Sequence, residues 1–197
     1  EADDLVALLC RSKHYEGWKK TIISSDKDFY QLADEETSIY RPIQDKMVTT
    51  ETLVEEFGIH PNNFALARAF AGDPSDNIKG IGRVGLGTIK KRFDFMKEPE
   101  DQTVQSLVEH CQKVEKKLSC HTKVIDKQDV IHQNYLIMQL YSPKISPINR
   151  QKLLYNVQNH EPEVNISTIK MMMITDGFGA YRFDDLFGSF RRLCSYL

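Results

Sequence analysis

Apolar side chains recur every three or four residues near the start of the chain, which is the spacing of one helix face. Leu5, Leu8 and Leu9 follow this spacing and predict a helix over residues 3–16. A short run of β-branched residues, 21–23, comes next and predicts a strand. This strand ends in a polar, acid-rich loop. Because ligands of α/β proteins bind at the carboxyl ends of strands, that loop is a candidate site.

Helix and strand signals continue along the rest of the chain, with glycine or proline at several boundaries, as is typical of helix ends. The pattern is mainly helical, with a few strands in the first third, and it predicts an α/β fold. Further strands are predicted over 38–41 and 47–49, and helices over 50–57, 61–71, 88–93, 102–118, 129–141, 147–158 and 184–197.

The composition is that of a folded protein and excludes a mainly disordered chain. Of the 197 residues, 41% are hydrophobic and 27% are charged, and both values are ordinary for a globular protein. The formal net charge of −2 excludes a surface covered in basic residues, so any contact with nucleic acid must come from a local patch. No apolar run approaches the length of about 18 residues that a membrane span needs. Four cysteines without a CxxC pair favour a reduced compartment.

Seven carboxylates occur in three short clusters, each at a predicted helix start or in a loop. Like charges held together repel one another and raise one another's pKa, so a stable cluster needs a cation. Hard divalent ions take oxygen ligands, and two of them about 4 Å apart stabilise phosphodiester hydrolysis. Acids also favour helix N-termini and loops for structural reasons, so composition leaves open whether the clusters meet. The seven acids are Glu1, Asp3, Asp4, Asp26, Asp28, Asp73 and Asp76.

Residues 79–92 combine glycine with positive charge and contain no acid. Glycine permits a positive φ and a close backbone approach, and the N–H groups that open the next helix favour a phosphate. Basic side chains here would contact a DNA backbone without selecting its sequence. The alternative is a flexible loop followed by a solvated helix face. The candidate DNA-binding residues are Lys79, Gly80, Gly82, Arg83, Gly85, Gly87, Thr88, Lys90 and Lys91.

Three linked motifs resemble the 5′-nuclease family, which includes flap endonucleases, the 5′-exonuclease domains of bacterial DNA polymerase I, and phage 5′-exonucleases and ribonucleases H. Residues 1–4 (EADD) match the family's EADD motif, and residues 25–28 (SDKD) match its (S/T)-D-x-D motif. Residues 72–77 (GDPSDN) match its G-D-x-x-D-N segment. Order and spacing agree over about 95 residues, or roughly half of the chain.

The resemblance implies a PIN-like α/β core with a mainly parallel sheet and a helix-three-turn-helix that binds DNA. On this basis residues 1–71 are the C-terminal part of the nuclease core, 72–95 are the helix-three-turn-helix, and 96–197 are a mostly helical region that packs on the core. The family's first metal-binding aspartates and its helical arch lie upstream of EADD. We therefore expect the chain to be a fragment that is weakly active or inactive alone.

The resemblance also implies a metal-dependent 5′-nuclease that removes primers or flaps in replication or repair. It implies two divalent ions, Mg²⁺ or Mn²⁺, with Asp26, Asp28 and Asp73 as catalytic residues. The ligands that it implies are Glu1, Asp3 and Asp26 for one ion and Asp28, Asp73 and Asp76 for the other, with Asp4 as a further metal ligand.

The implied substrate is a DNA duplex with a 5′ end, a flap or an RNA primer, bound by a monomer that works with replication proteins. A potassium ion held by hairpin carbonyls is implied as well. Arg83 falls where bacterial-type hairpins have glycine, which leaves the register of this hairpin open. The expected location is the cytoplasm of a bacterium or of a phage-infected cell, or the nucleus in a eukaryote.

Two other functions stay open at this stage. A non-catalytic DNA-binding module would use the hairpin without a complete set of acids. A PIN-like ribonuclease outside the flap family fits the acids but leaves the glycine-rich hairpin unexplained. Five lysines either extend the DNA surface or form a solvated helix face: Lys113, Lys116, Lys117, Lys123 and Lys127.

Overall fold

A small mixed sheet follows the first helix in the computed structural model, which describes residues 2–159 and 165–194. Strand β1 pairs in parallel with β2, with Ile22 opposite Ile39, and β2 pairs antiparallel with β3, with Ile39 opposite Val48. These three residues are buried and belong to the hydrophobic core. The strands are β1 (Lys20–Ile23), β2 (Thr37–Arg41) and β3 (Lys46–Val48), with a separate two-stranded hairpin of β4 (Gly72–Asp73) and β5 (Ile78–Lys79).

Helices make up most of the remaining structure, as the sequence pattern predicts. A 3-10 turn, Asp28–Leu32, follows β1 and is part of the candidate site. Within the described residues, no helix has both the length and the apolar character needed to cross a membrane. The helices are α1 (Ala2–Cys10), α2 (Thr50–Phe57), α3 (Pro61–Ala71), α4 (Leu86–Arg92), α5 (Val104–Lys113), α6 (Ser119–Asp126), α7 (Gln128–Met138), α8 (Pro147–Asn159), α9 (Ile166–Thr175) and α10 (Phe183–Cys194).

The chain divides into two compact units, Glu1–Pro147 and Ile148–Leu197. The second unit is helical, and the ring of its buried Phe187 lies next to those of Phe183 and Phe190. All of the candidate site residues belong to the first unit. The segments 1–71, 72–95 and 96–197 stay a prediction, because this grouping does not test them.

Helix α3 is the centre of the first unit. Its apolar residues are buried all round, which is typical of a helix inside the core rather than on its surface. It packs against α7 and against the 3-10 turn. The ring of Phe64 lies 5.2 Å from that of Tyr30, and the ring of Phe70 lies 5.5 Å from that of Phe93. Because α3 packs against other elements on several sides, it fixes the position of the β4 strand that follows it.

Two buried amides tie the other elements to this centre. Asn134 on α7 donates to the backbone oxygens of Ala69 and Lys79, at 2.8 and 3.0 Å. Gln31 donates to the oxygens of Asp28 and Met138, both at 2.9 Å, and accepts a bond from the Leu140 N–H group. These bonds satisfy buried backbone groups that lie outside regular ladders. They also hold the end of α7 beside the 3-10 turn.

The helix predicted over 3–16 is wrong beyond Cys10. Helix α1 ends there, and a short 3-10 turn over Lys13–Tyr15 follows. The Ser12 hydroxyl accepts a bond from the His14 N–H group, which is the competition with helical bonding expected of serine.

The single helix predicted over 102–118 is also wrong, because α5 ends at Lys113 and α6 begins at Ser119. Val114 has an extended backbone, with ψ at 119°. Burial of Cys111 and Cys120 on either side of the break favours two packed helices over a straight one. The helices predicted over 61–71 and 50–57 have the predicted bounds. The end of the helix predicted over 184–197, residues 195–197, lies outside the described residues.

Candidate active site

The loop after β1 directs its two acids by local hydrogen bonds. The Ser24 N–H group donates to the Tyr40 oxygen and extends the sheet by one residue. The Asp28 N–H group then donates to Asp26 Oδ1 at 2.9 Å, a turn that Asp side chains form readily. As a result Asp26 is exposed and Asp28 is half-buried at the end of the same strand.

The β4–β5 hairpin brings two more acids to the same place. Gly72 has a φ of +81°, and a β-carbon there would lie 2.3 Å from the Gly80 nitrogen. Only glycine allows the two strands to approach this closely. The hairpin follows α3 directly, so Asp73 is buried beside the end of that helix and Asp76 is exposed at the turn.

The three predicted clusters meet, as far as the structure describes them. Carboxylate oxygens of Asp28, Asp73 and Asp76 lie within 4.8 Å of one another. Five of the predicted acids line one cleft of about 710 Å³. Glu1 lies outside the described residues. The five acids are Asp3, Asp4, Asp26, Asp28 and Asp76.

Part of the cleft comes from a region in which the sequence shows no motif. Residues 136–140, at the end of α7, line it, and so do residues 142–144. Leu136 and Ile137 expose 48% and 70% of their surface, so this part of the cleft is apolar and accessible. Lys144 adds a positive charge to the lining. The spacing of residues in the sequence does not predict that α7 lines the cleft, because this depends on how α7 packs on α3.

Arg68 is the site residue that the sequence motifs miss. Its Nε and Nη2 atoms donate to Asp28 Oδ1 at 3.2 and 3.1 Å, and Nη2 also donates to Asp73 Oδ2. The three side chains are largely buried, with exposures of 11%, 16% and 6% for Arg68, Asp28 and Asp73. The signal for it is an arginine on an otherwise buried helix, one turn before Gly72. Such a residue needs a partner in the core.

Asp28 and Asp73 differ in their affinity for a proton. Burial raises the pKa of Asp28 to about 6, against the attraction of Arg68, and repulsion from Asp26 and Asp73 adds to the rise. Burial also acts to raise the pKa of Asp73, but bonds from Ser75 and Arg68 outweigh it and lower that pKa. Asp73 is therefore the ionised partner of Arg68, and Asp28 is the carboxylate that most needs a further cation.

The oxygen atoms in the cleft fit a hard divalent ion. Asp73 uses both oxygens in hydrogen bonds, since Oδ1 accepts from the Ser75 N–H and hydroxyl groups and Oδ2 accepts from Arg68. Asp28 Oδ1 is bonded to Arg68, while Asp26 and Asp76 are exposed to the solvent in the cleft. A site with several carboxylate oxygens and access to water is the kind that Mg²⁺ and Mn²⁺ prefer.

The glycine-rich loop is held at two buried points and exposes its tip. The Ile81 N–H group donates to the Phe70 oxygen at 3.1 Å, and both Ile81 and Val84 are buried. Between them Gly82 and Arg83 are exposed, with φ values of +84° and +57°. The tight turn therefore lies at Gly82 and Arg83. Arg83 has the left-handed backbone that glycine would adopt more easily.

The predicted DNA-binding residues have different surroundings. Gly85 caps α4, accepting bonds from the Thr88 and Ile89 N–H groups at 2.8 and 3.1 Å, and Gly87 and Thr88 lie in the first turn of that helix. Within the part of the chain that the structure describes, the side chains of Lys79, Arg83 and Lys91 make no hydrogen bond or ion pair.

Lys90, by contrast, bonds to the protein itself. Its ammonium donates to the backbone carbonyl oxygens of Glu55 and Glu56 at 2.6 and 2.8 Å. These bonds satisfy carbonyl groups in the last turn of α2 that have no partner within the helix. The basic surface available to a phosphate is thus narrower than the sequence predicts.

Comparison with known proteins agrees with this geometry. Residues 1–58 match the family model described as the 5′-3′ exonuclease N-terminal resolvase-like domain. A thermostable DNA polymerase I of Thermus thermophilus is 38% identical over 91 residues, which are 46% of this chain and 11% of the polymerase. A 5′-3′ exonuclease of Aquifex aeolicus is 38% identical over 88 residues, which are 45% of this chain and 30% of that enzyme. The chain thus spans a minor part of these curated relatives.

Solved structures show a similar fold. A T5 5′-exonuclease with bound divalent metal ions (zinc) matches 80% of this chain and 59% of its own, with a TM-score of 0.63 and 17% identity. A bacteriophage T5 flap endonuclease, in a pseudo-enzyme-product complex with DNA and metal ions, matches 80% of this chain and 58% of its own, with a TM-score of 0.63 and 16% identity. The predicted PIN-like α/β fold is confirmed, whereas the sheets of the described residues are mixed and antiparallel rather than mainly parallel. In sequence the chain is similar to 5′-3′ exonucleases.

Proposed function

We propose that the chain forms the acidic cleft and the DNA-binding hairpin of a divalent-metal-dependent 5′-nuclease. The reaction is hydrolysis of phosphodiesters at 5′ ends or flaps of DNA, or at RNA–DNA junctions, in primer or flap removal. One observation carries the proposal: acids from three separate stretches of sequence meet in one cleft, and a basic hairpin follows the third stretch directly. The T5 relatives with metal ions and with DNA support the same chemistry.

The acids have distinct tasks under this proposal. Asp26, Asp28 and Asp76 hold Mg²⁺ or Mn²⁺, with two ions as the expected number and Asp3 and Asp4 completing the cleft. A divalent ion supplies Lewis-acid stabilisation of the charge that develops on the phosphate.

Arg68 fixes the Asp28 carboxylate by charged hydrogen bonds, as outer partners of metal ligands commonly do. Asp73 accepts a hydrogen bond from the same guanidinium and so holds Arg68 in place.

The hairpin positions the substrate. Arg83, Lys79 and Lys91 bind phosphates of the duplex near a junction. The short strand β5 connects the acidic cleft to this hairpin along the chain, so a duplex bound at the hairpin places its 5′ DNA strand at the cleft. Such contacts depend on charge rather than on base sequence, so the enzyme selects the structure of the junction.

Cleavage of a 5′-labelled flap duplex tests the proposal. The substrate is incubated with Mg²⁺ and with the chain, or with a form extended upstream, and the cut position is mapped. We expect metal-dependent cutting near the junction that EDTA abolishes. Asp26→Asn should reduce cutting at least about a hundredfold, the range for removing one charge-stabilising group, and should leave duplex binding intact. The matched control is Asp129→Asn, which removes an exposed acid on α7 that does not line the cleft.

Two outcomes would contradict the nuclease and favour another function. Junction binding that persists in EDTA, with no cutting by either form, would indicate a DNA-binding module. The saturated hydrogen bonds of Asp73 would then be purely structural. Cutting of single-stranded RNA without a duplex junction would indicate a PIN-like ribonuclease.

A further inference from the structure

A lysine from α6 bonds to the exposed tip of the glycine-rich loop. Lys123 Nζ donates to the Gly82 oxygen at 2.7 Å, across 41 positions of sequence. This distance is typical of a charged hydrogen bond, which is stronger than a neutral one. Lys123 thereby links the loop to a helix that the sequence motifs do not include.

The tip needs such an outside contact. Gly82 and Arg83 both have a positive φ, which is uncommon for a residue with a β-carbon such as Arg83. Ile81 and Val84 anchor the loop on either side, but the peptide between them belongs to no helix or strand. An unusual backbone persists where its surroundings determine it, and the bond from Lys123 is the one that the structure shows at the Gly82 oxygen.

The helix that carries Lys123 is held firmly in the core. Val124 is fully buried, and Cys120 and His121 on the same helix expose only 8% and 5% of their surface. Lys123 itself is half-buried, so its aliphatic part packs against the protein while its ammonium reaches the loop. The contact therefore transmits the position of α6 to the tip.

An ammonium and a potassium ion compete for the same kind of partner. Each carries one positive charge, the ammonium donates up to three hydrogen bonds, and potassium is coordinated by backbone carbonyl oxygens. The resemblance to the 5′-nucleases implies potassium at the hairpin carbonyls. Lys123 bonds to one of these carbonyls, in the middle of the tip.

We propose that Lys123 is a positioning residue that acts as a built-in monovalent cation for the hairpin. It holds the Gly82 carbonyl and so presents Arg83 to a backbone phosphate, and the hairpin consequently needs no potassium. The part of this proposal that concerns DNA rests on the proposed function. The part that concerns the loop does not.

Hydrogen exchange of the Ile81 amide, which donates to the Phe70 oxygen beside the tip, tests the role of Lys123 in the loop without DNA or divalent metal. In NaCl, Lys123→Met should exchange about tenfold faster than the wild-type chain, because the tip loses its anchor. Replacing NaCl with KCl should slow exchange in Lys123→Met and leave the wild-type rate unchanged. Lys123→Arg should keep most of the protection. The matched control is Lys127→Met, one turn further along and without a bond to the loop in the described residues.

Binding to a 5′-flap duplex in EDTA, measured by fluorescence anisotropy, tests the role of Lys123 in presenting Arg83 to DNA. The wild-type chain should bind equally in NaCl and KCl at equal ionic strength, whereas Lys123→Met should bind several-fold more weakly in NaCl and recover in KCl. A control variant, Lys127→Met, would lose the same charge but should show no difference between the two salts.

The outcomes separate the two proposals. Exchange in Lys123→Met that equals exchange in Lys127→Met would overturn the role of Lys123. A wild-type chain whose exchange or binding requires KCl would overturn it as well, and this comparison needs no variant to fold. Absence of duplex binding in every salt would contradict the proposed function instead, and the exchange result would still decide the role of Lys123.

Discussion

Arg68 is the residue that lets the half-buried carboxylate of Asp28 and the buried carboxylate of Asp73 lie side by side. Without the guanidinium, Asp28 and Asp73 would face each other with no counter-charge. We predict that Arg68→Met lowers the free energy of unfolding by about 3–5 kcal/mol, the cost of breaking a buried ion pair from one side. Mg²⁺ should restore part of this loss by taking over the neutralising role. Urea unfolding with and without Mg²⁺ measures both effects.

Arg68→Lys is the control for that prediction. It keeps the charge but lacks the planar fork that bonds to both carboxylates, so its stability should be intermediate. If Arg68→Met is as stable as the wild-type chain in the absence of Mg²⁺, the guanidinium does not neutralise the cluster.

His121 makes stability depend on pH in a known direction. Burial lowers its pKa, and His110, Arg92 and Lys117 add repulsion. The unfolded chain takes up the proton near pH 6.5, whereas the folded chain resists it, so the free energy of unfolding should fall as the pH drops below about 6.5. His121→Asn keeps an acceptor for the Leu118 N–H group and cannot titrate. Its stability should depend less on pH in this range.

Asp28 has the opposite effect in a neighbouring range. Because its pKa is raised to about 6, the folded chain binds the proton more tightly, and stability falls as the pH rises from about 4 to 6. This contribution is common to the wild-type chain and to His121→Asn. The difference between their unfolding free energies at each pH therefore isolates His121, and a difference that is constant from pH 5 to pH 8 contradicts the assignment.

Single residues show which parts of the site a sequence can predict. Asp26, Asp28, Asp73 and Asp76 belong to short motifs whose spacing is visible in the chain, and the structure places them together. Arg68 has no such spacing, because its role depends on the burial of α3 and on a carboxylate 40 positions away. A polar residue in a core helix can be recognised from the sequence, but the residues to which its side chain bonds cannot.

At the scale of elements, the close contact between the hairpin and α3 depends on Gly80. A β-carbon there would lie 2.3 Å from the Ala71 oxygen. We predict that Gly80→Ala lowers the free energy of unfolding by about 1–3 kcal/mol, as overpacking does. The atoms that the new methyl group would meet belong to the backbone and cannot move aside. Gly87→Ala is the matched change in open space, within the first turn of α4, and it should be neutral or stabilising by up to about 1 kcal/mol. Thermal unfolding of the two variants compares them, and equal melting temperatures would contradict the packing argument.

Two adjacent lysines of α4 provide a second test at this scale. Lys90 bonds to the end of α2, whereas Lys91 points to no partner among the described residues. We predict that Lys91→Met weakens binding to a flap duplex and reduces the slope of log K against log salt by about 0.9. Lys90→Met should instead lower stability by about 1 kcal/mol with a smaller effect on binding. Equal losses of binding would contradict this division.

Helix boundaries were predictable where the chain marks them. Gly58, Pro61 and Gly72 bound α2 and α3, and the predicted ends agree with the structure. The break between α5 and α6 contains neither glycine nor proline, and it follows from packing of both helices on the core. The tight turn at Gly82 and Arg83 was likewise undecided in the sequence, because an arginine can occupy a left-handed position when its neighbours hold it there.

At the scale of the molecule, the first unit assembles one cleft from distant parts of the chain. The motifs near residues 4, 26 and 73 meet because β1, α3 and the β4–β5 hairpin end at the same place. The sequence motifs predict the acids and the fold class. They do not predict the apolar part of the cleft on α7, since that part depends on long-range packing and on the buried amides of Gln31 and Asn134.

These separated acids bind divalent cations in a shared cleft under the proposed function, and titration calorimetry with Mn²⁺ measures that binding. Asp76→Asn and Asp129→Asn each remove one exposed carboxylate, and only Asp76 lies in the cleft. We predict saturable Mn²⁺ binding to the chain that Asp76→Asn weakens by at least about tenfold, which corresponds to about 1.4 kcal/mol, and that Asp129→Asn leaves unchanged. No saturable binding, or the same affinity in both variants, would contradict cation binding by the acids of the cleft.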